Sequence, residues 1–255
     1  MEHTIRVRAF SAALIITLGV ASSVITSAVV ASRAYQGRAA LSARTQQDLT
    51  VKGSARTRVR SDLAVWHIAV SGEGADLKQA YGVLEFGIDR VQAFLREQSF
   101  ADPEIGLSAI DTQPHMVRDK NGQETHQVDA YTLNRTFVVT TPDVERINHA
   151  ASQVTQLLQE NVRVVSHAPQ YSYTKLADMK VQILGEASRD ALGRAAEIAS
   201  NAGCRVGEVR RAQSGVIQIT QPNSTDVSGE GIYDTSTIEK DISVVVTVTF
   251  GIQNG

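Results

Sequence analysis

Asp111, His115 and Tyr171 are the side chains of this sequence best suited to acid–base or ligand chemistry. A carboxylate, an imidazole and a phenol brought into one cleft can exchange protons and hold a polar substrate. The six histidines are otherwise scattered. His115 and His126 flank a turn at Asp119-Lys120-Asn121-Gly122, with Glu124 and Asp129 close by, and imidazole with carboxylate suits a divalent metal. The spacing matches no known metal site, so the turn reads as a solvated polar tip. The sequence also lacks a phosphate-cradling Gly-x-x-x-x-Gly-Lys-Ser/Thr and a Gly-x-Ser-x-Gly elbow. Asp111 with Thr112 reads most simply as a structural hydrogen-bonding pair. No catalytic, cofactor-binding or metal-ligating residue is therefore assigned, and the chain is expected not to be an enzyme. A cleft near Asp111, His115 and Tyr171, serving a small-ligand-binding or hydrolytic domain, is the alternative.

The elements that must position these residues follow from hydrophobic period. Asp48–Gly53 reads as a short strand and Val59–Val70 as a longer one, apolar on both faces as a central strand requires. Asp76 is a helix N-cap, and Leu77, Tyr81, Leu84, Ile88, Val91 and Leu95 form one apolar stripe behind it. Ile105–His115 and Val128–Thr140 read as a hairpin around the Asp-Lys-Asn-Gly turn. A second helix follows Pro142, capped by Thr141, with Val144, Ile147, Ala151, Val154 and Leu158 inward. Val162–Tyr173 returns as a strand. Ala177–Ala202 is the longest helix, with Met179, Ile183, Ala187, Ala191, Ala195, Ile198 and Ala202 inward and Gly203 as its stop. Val206–Thr220 and Asp241–Ile252 are the last strands, joined by the polar loop Gln221–Ile238. The class is α+β, a mainly antiparallel sheet with three long helices packed on it.

Ahead of this domain, residues 9–32 carry no charge. A helix needs about 20 residues to cross the ~30 Å hydrocarbon core, so the run is long enough to span. Its length favours a retained signal-anchor over a cleaved signal peptide, whose apolar core runs to roughly 15 residues at most. Arg6 and Arg8 in the basic tail 1–8 argue for a cytoplasmic N-terminus, while Arg33, Arg38 and Arg44 argue the other way. Residues 33–47 read as a polar tether and 48–252 as one domain.

The net charge of −2, with both signs interspersed, excludes the basic footprint of a duplex nucleic-acid binder. Arg56, Arg58 and Arg60 alternate along a strand and read as one solvated face. The single cysteine, Cys204, leaves no intramolecular disulfide to form.

The third helix carries a family pattern. Ala187-Ser-Arg-Asp190-Ala191-Leu-Gly-Arg194-Ala195, then Ala199, Gly203, Val206-Gly207 and Val209, resembles the SIMPL-domain family. Leu49–Gly53 with Asp62–Val65, Ile110-Asp111-Thr112 and Tyr131–Val139 agree with it in order, so the resemblance covers residues 48–252. Ser61 departs from a common proline and Val206 from a common leucine. The resemblance implies a bacterial envelope protein, held by residues 9–32 on the inner membrane with its domain in the periplasm, or cleaved and soluble there. It implies a loose link to stress tolerance and no agreed catalytic residues to carry over. The expected partners are the membrane and either further copies of the chain or other envelope proteins, acting by association.

The orientation is directly testable. Alkaline phosphatase fused after Gly255 is expected to be active, and a reporter that folds only in the cytoplasm is expected to stay dark. The reverse pair of results contradicts a periplasmic domain.

Overall fold

A computed structural model describes Ser32 and residues 48–254. The expected span 9–32 lies outside them apart from Ser32. Among the described residues no helix is long and apolar enough to cross a membrane.

The elements run β1 (Asp48–Arg60), β2 (Leu63–Gly74), α1 (Leu77–Glu97), β3 (Ile105–Leu107), β4 (Asp111–Arg118), β5 (Glu124–Thr141), α2 (Val144–Gln153), β6 (Arg163–Ser166), β7 (Gln170–Ser172), α3 (Leu176–Asn201), β8 (Cys204–Ser214), β9 (Gln218–Thr220) and β10 (Glu239–Asn254). The described chain is α+β with mostly antiparallel pairing and three helices. It divides into two compact units. One holds the chain to Gly53, Ala191–Gln213 and the chain from Thr247; the other holds Ser54–Asp190 and Ser214–Val246.

The larger unit is built on a sheet of order β3-β5-β2-β6, with β4 on β5 and β7 on β2. One face of β2 disappears entirely: Ala64, Trp66, Ile68 and Val70 are all 0% exposed. Each large apolar side chain so buried is worth about 1.5–3 kcal/mol, before the entropy of ordering it. Phe137 and Val139 of β5, Leu84 and Val91 of α1, and Val144 and Ile147 of α2 complete this core. The other face of β2, from Leu63 to Ser71, is only half-buried, so the strand is central by its edges and one-sided in its packing. Helix α1 crosses the end of β2 very closely. A Cβ on Gly72 would lie 2.4 Å from the Ala80 carbonyl oxygen and the Leu84 nitrogen, and one on Gly74 2.5 Å from the Ala80 nitrogen.

Several expected boundaries move. β1 runs unbroken to Arg60, because Gly53 continues the strand and the reversal comes at Ser61–Asp62, where Asp62 accepts from the Thr174 N–H (2.7 Å) and hydroxyl (2.8 Å). The strand expected over Ile105–His115 is two strands, β3 and β4, and Val206–Thr220 likewise divides into β8 and β9. Asp143 rather than Thr141 caps α2, accepting from the Arg146 N–H at 3.0 Å. That helix tightens into a 3₁₀ turn from Val154, which leaves Leu158 53% exposed. Along α1 the buried stripe is rotated toward Ala80, Gly87 and Phe94, so Leu77 and Tyr81 are exposed. In α3, Ala199 is buried and Ile198 is exposed. The Asp76 cap and the even-numbered buried stripe of β10, from Ile242 to Phe250, stand where the pattern placed them.

A paired substitution tests the close crossing. Gly72→Ala forces α1 off the sheet and is expected to cost about 1–3 kcal/mol or more by denaturant unfolding. Gly82→Ala, with nothing within 4 Å of the new Cβ, is expected to be neutral or to stabilise by up to ~1 kcal/mol through helix propensity. Equal effects at both positions contradict the crossing.

Candidate functional site

Register alone separates the three residues picked out for chemistry. Asp111 stands opposite Asn134 and His115 opposite Ala130 on β5. Both side chains share the sheet face of Thr132, whose hydroxyl lies 2.8 Å from the His115 Nε2. Tyr171 lies opposite Ala64, itself opposite Thr141, on the helix-covered face; Tyr171 is buried and its hydroxyl donates to Asn148 at 3.2 Å. Thr141 is seven positions along β5 from Asn134, about 23 Å at ~3.3 Å per residue. Asp111, His115 and Tyr171 therefore occupy opposite faces and do not form a cleft. His126 is not opposite His115 either, because the residue opposite His115 is Ala130. The turn between them forms as expected: Asp119 Oδ1 accepts from the Asn121 and Gln123 N–H groups, and Gly122 takes a φ of 80°. Among the described residues no three His, Cys, Asp or Glu side chains assemble as a metal site.

The densest charge chemistry lies elsewhere, beneath the loop 221–238. Gln218, Thr220, Lys240 and Asp241 are buried on β9 and at the start of β10. Asp241 accepts from the Arg58 Nε at 2.8 Å and Nη2 at 3.1 Å, and from the Asn223 N–H at 2.9 Å. Arg58 also donates to the Asn223 side chain, and Arg56 to the Ser224 carbonyl at 3.2 Å. Nearby, Lys240 is 1% exposed and donates to Asp234 at 3.1 Å and to the Thr237 carbonyl at 2.7 Å. The Gln218 side chain donates to the Ser228 carbonyl and accepts from the Ile232 N–H. Strand β7 and the β1–β2 reversal reach the same loop, through Tyr171 N–H to the Thr235 carbonyl and Ser61 N–H to the Ile238 carbonyl. Proline at position 61, common in the resembling family, has no N–H to make that last bond.

These groups hold one another. Arg58, donating to both oxygens, holds the Asp241 carboxyl below the usual carboxylate range against the opposing effect of burial. Burial pushes the Asp234 carboxyl up, but the Thr237 and Ser236 hydroxyls, the Ser236 N–H and Lys240 together outweigh it and hold it well below that range. The expected solvated arginine face is thus half true: Arg56, Arg58 and Arg60 are each about half exposed, yet all three are ion-paired. The missed signal is Lys240, a charge in phase with the buried even-numbered stripe of β10.

Two shallow concavities border these elements. One of about 430 Å3 is lined by Lys180, Val216, Glu230 and Tyr233. The other, about 420 Å3, lies on the open sheet face with His67, His167 and Gln170. Neither contains Asp111, His115 or Tyr171. The signature helix has a structural role: Asp190 accepts from the Ser54 N–H of β1 at 2.8 Å.

The remaining surface feature is a β-ribbon. β2 pairs with β5 only as far as Gly74, opposite Tyr131. From Glu124 to Ala130, β5 has β4 as its one strand partner among the described residues, a reach of about 20 Å at ~3.3 Å per residue. Met116 and Val128 face each other there and are 37% and 38% exposed.

The Asp241 pairing has a pH signature. Its folded pKa is depressed below the unfolded value of about 3.9, so its stabilisation is present above that pH and is lost as pH falls through the folded value. Wild type is expected to exceed Asp241→Asn in stability near neutral pH, with the gap closing as pH falls below about 4. Denaturant melts across a pH series check this, and a gap independent of pH contradicts it.

Comparison with known proteins supplies the family. Three solved structures are similar in part: a de novo designed protein, Foldit4 (12% identity, 41% of this chain and 93% of that one, TM-score 0.22); the ligand-free regulatory subunit of aspartate kinase from Thermus thermophilus (11%, 78% and 88%, 0.18); and an uncharacterized conserved protein from Listeria innocua (10%, 75% and 91%, 0.19). No curated protein matches the sequence. A family model, SIMPL, described as a protein of unknown function (DUF541), matches residues 49–250. The match takes in both units of the described chain, from the Leu49 end of β1 to Phe250 of β10, and the chain belongs to the SIMPL family.

Proposed function

We propose that this chain is a non-enzymatic envelope protein, held on the inner membrane through residues 9–32 with its SIMPL domain in the periplasm. It works by associating with further copies of itself or with other envelope proteins. The family resemblance supports the compartment and the link to stress tolerance. The β4–β5 ribbon is the observation that carries the association. A two-stranded hairpin is marginal in water by itself, yet this one extends past its sheet with an apolar Met116–Val128 pair open to solvent. Such a projection gains most when a partner covers it. The charged groups beneath loop 221–238 support the same reading, because they are committed to one another.

Light scattering on the full chain in non-ionic detergent is expected to find species larger than one chain per micelle, growing with concentration. Met116→Ser with Val128→Ser is expected to weaken that association roughly tenfold. A strict monomer throughout, together with unchanged cross-linking to membrane neighbours when the pair is replaced, contradicts the proposal.

A further inference from the structure

We propose that β8 is a homodimerisation strand, pairing antiparallel with β8 of a second copy about a two-fold axis at Val209. This deepens the association reading and rests on it. β8 ends the order β1-β10-β8, so its outer edge has no strand partner among the described residues. Eleven residues long, it is exposed from Glu208 to Ser214, with Val209 at 57%. An edge of that length is a template for another strand unless something blunts it. β8 contains no proline. By contrast, the long edge strand β4 is interrupted by Pro114 and by register shifts between His115 and Met116 and between Met116 and Arg118.

Symmetry then selects the register. A two-fold axis joining antiparallel edges stands perpendicular to the sheet and keeps each face on its own side, so one residue must face its own copy across the axis. Centring on Glu208, Arg210 or Arg211 sets like charges directly against each other, which destabilises a cross-strand pair. Centring on Gly207 pairs only Cys204 through Arg210 and gives Glu208 no cationic partner. Val209 is the midpoint of Cys204–Ser214, so centring there pairs the whole strand. It sets Val209 against Val209, Val206 against Ala212, and Glu208 against Arg210 of the second copy, the ion pair occurring twice by symmetry. In the single chain the Arg210 guanidinium lies over Gly251 of β10, where a Cβ would come within 3.0 Å of its Nε, so the long side chain swings outward to meet Glu208 of the second copy.

A charge swap tests it on the full chain in non-ionic detergent, read by sedimentation equilibrium. Glu208→Arg and Arg210→Glu each place two like-charge pairs across the axis, and each is expected to raise the dimer dissociation constant roughly tenfold. The double variant restores both pairs and is expected to return to within about threefold of wild type, which separates a lost interface from a lost fold. Ser214→Cys adds a second readout. Opposed residues in an antiparallel pair lie about 4.5–5.5 Å apart between Cα atoms, within disulfide range, so Cys204 is expected to cross-link to the new thiol of the second copy on mild oxidation. A dimer that ignores both single substitutions, or forms no cross-link, overturns the β8 register and leaves association standing. A chain that is monomeric at every concentration removes the β8 dimer and self-association, and leaves association with other envelope proteins to the cross-linking test.

Discussion

One-sided burial of β2 is the constraint on which the larger unit depends. Ala64, Trp66, Ile68 and Val70 are removed from water beneath α1 and α2 while both edges of the strand are paired. That burial needs α1 in backbone contact at Gly72 and Gly74, which ends β2 where the helix crosses. Because β2 stops at Gly74 and β5 does not, the ribbon extends beyond the layer that covers the rest of the sheet. The same geometry places Asp111 and Tyr171 on opposite faces, since alternation along a strand cannot bring them together. A single packing decision therefore creates a projecting surface and removes a cleft.

Charge provides the second constraint. A loop as long as 221–238 is uncommon in a compact domain, and here side chains add to a short backbone bridge between Ile219 and Tyr233 in holding it. Asp241 joins Arg58 to Asn223, Asp234 joins Lys240 to the Ser236–Thr237 turn, and Gln218 ties Ser228 to Ile232. Removing one member of a buried pair leaves the other without compensation. The ionisable groups with the most unusual surroundings thus hold the loop against the strands beneath it.

Much of this was legible in the sequence where one physical signal dominated. The Asp76 cap, the Asp119–Gly122 turn and the stripe of β10 each follow from local chemistry, and each is found; the helix around Asp190 carried the family resemblance, and the family is confirmed. Boundaries failed where tertiary contacts override local pattern. Arg60 continues β1 because its neighbours are paired, and α1 turns its stripe toward Ala80 and Gly87 because small residues allow the backbone closer than Leu77 or Tyr81 would. The buried charges were invisible for a different reason: Arg58 and Asp241 are 183 positions apart, and no local period reports such a pair. Lys240 alone signalled them, by standing in an apolar phase.

Concentration-dependent hydrogen exchange on the full chain, reading the amides of residues 204–214 and 111–130, tests association through these strands most directly. Slower exchange in both segments on concentrating the protein, with the β2 core unchanged, is the expected result. Identical exchange in dilute and concentrated samples contradicts it.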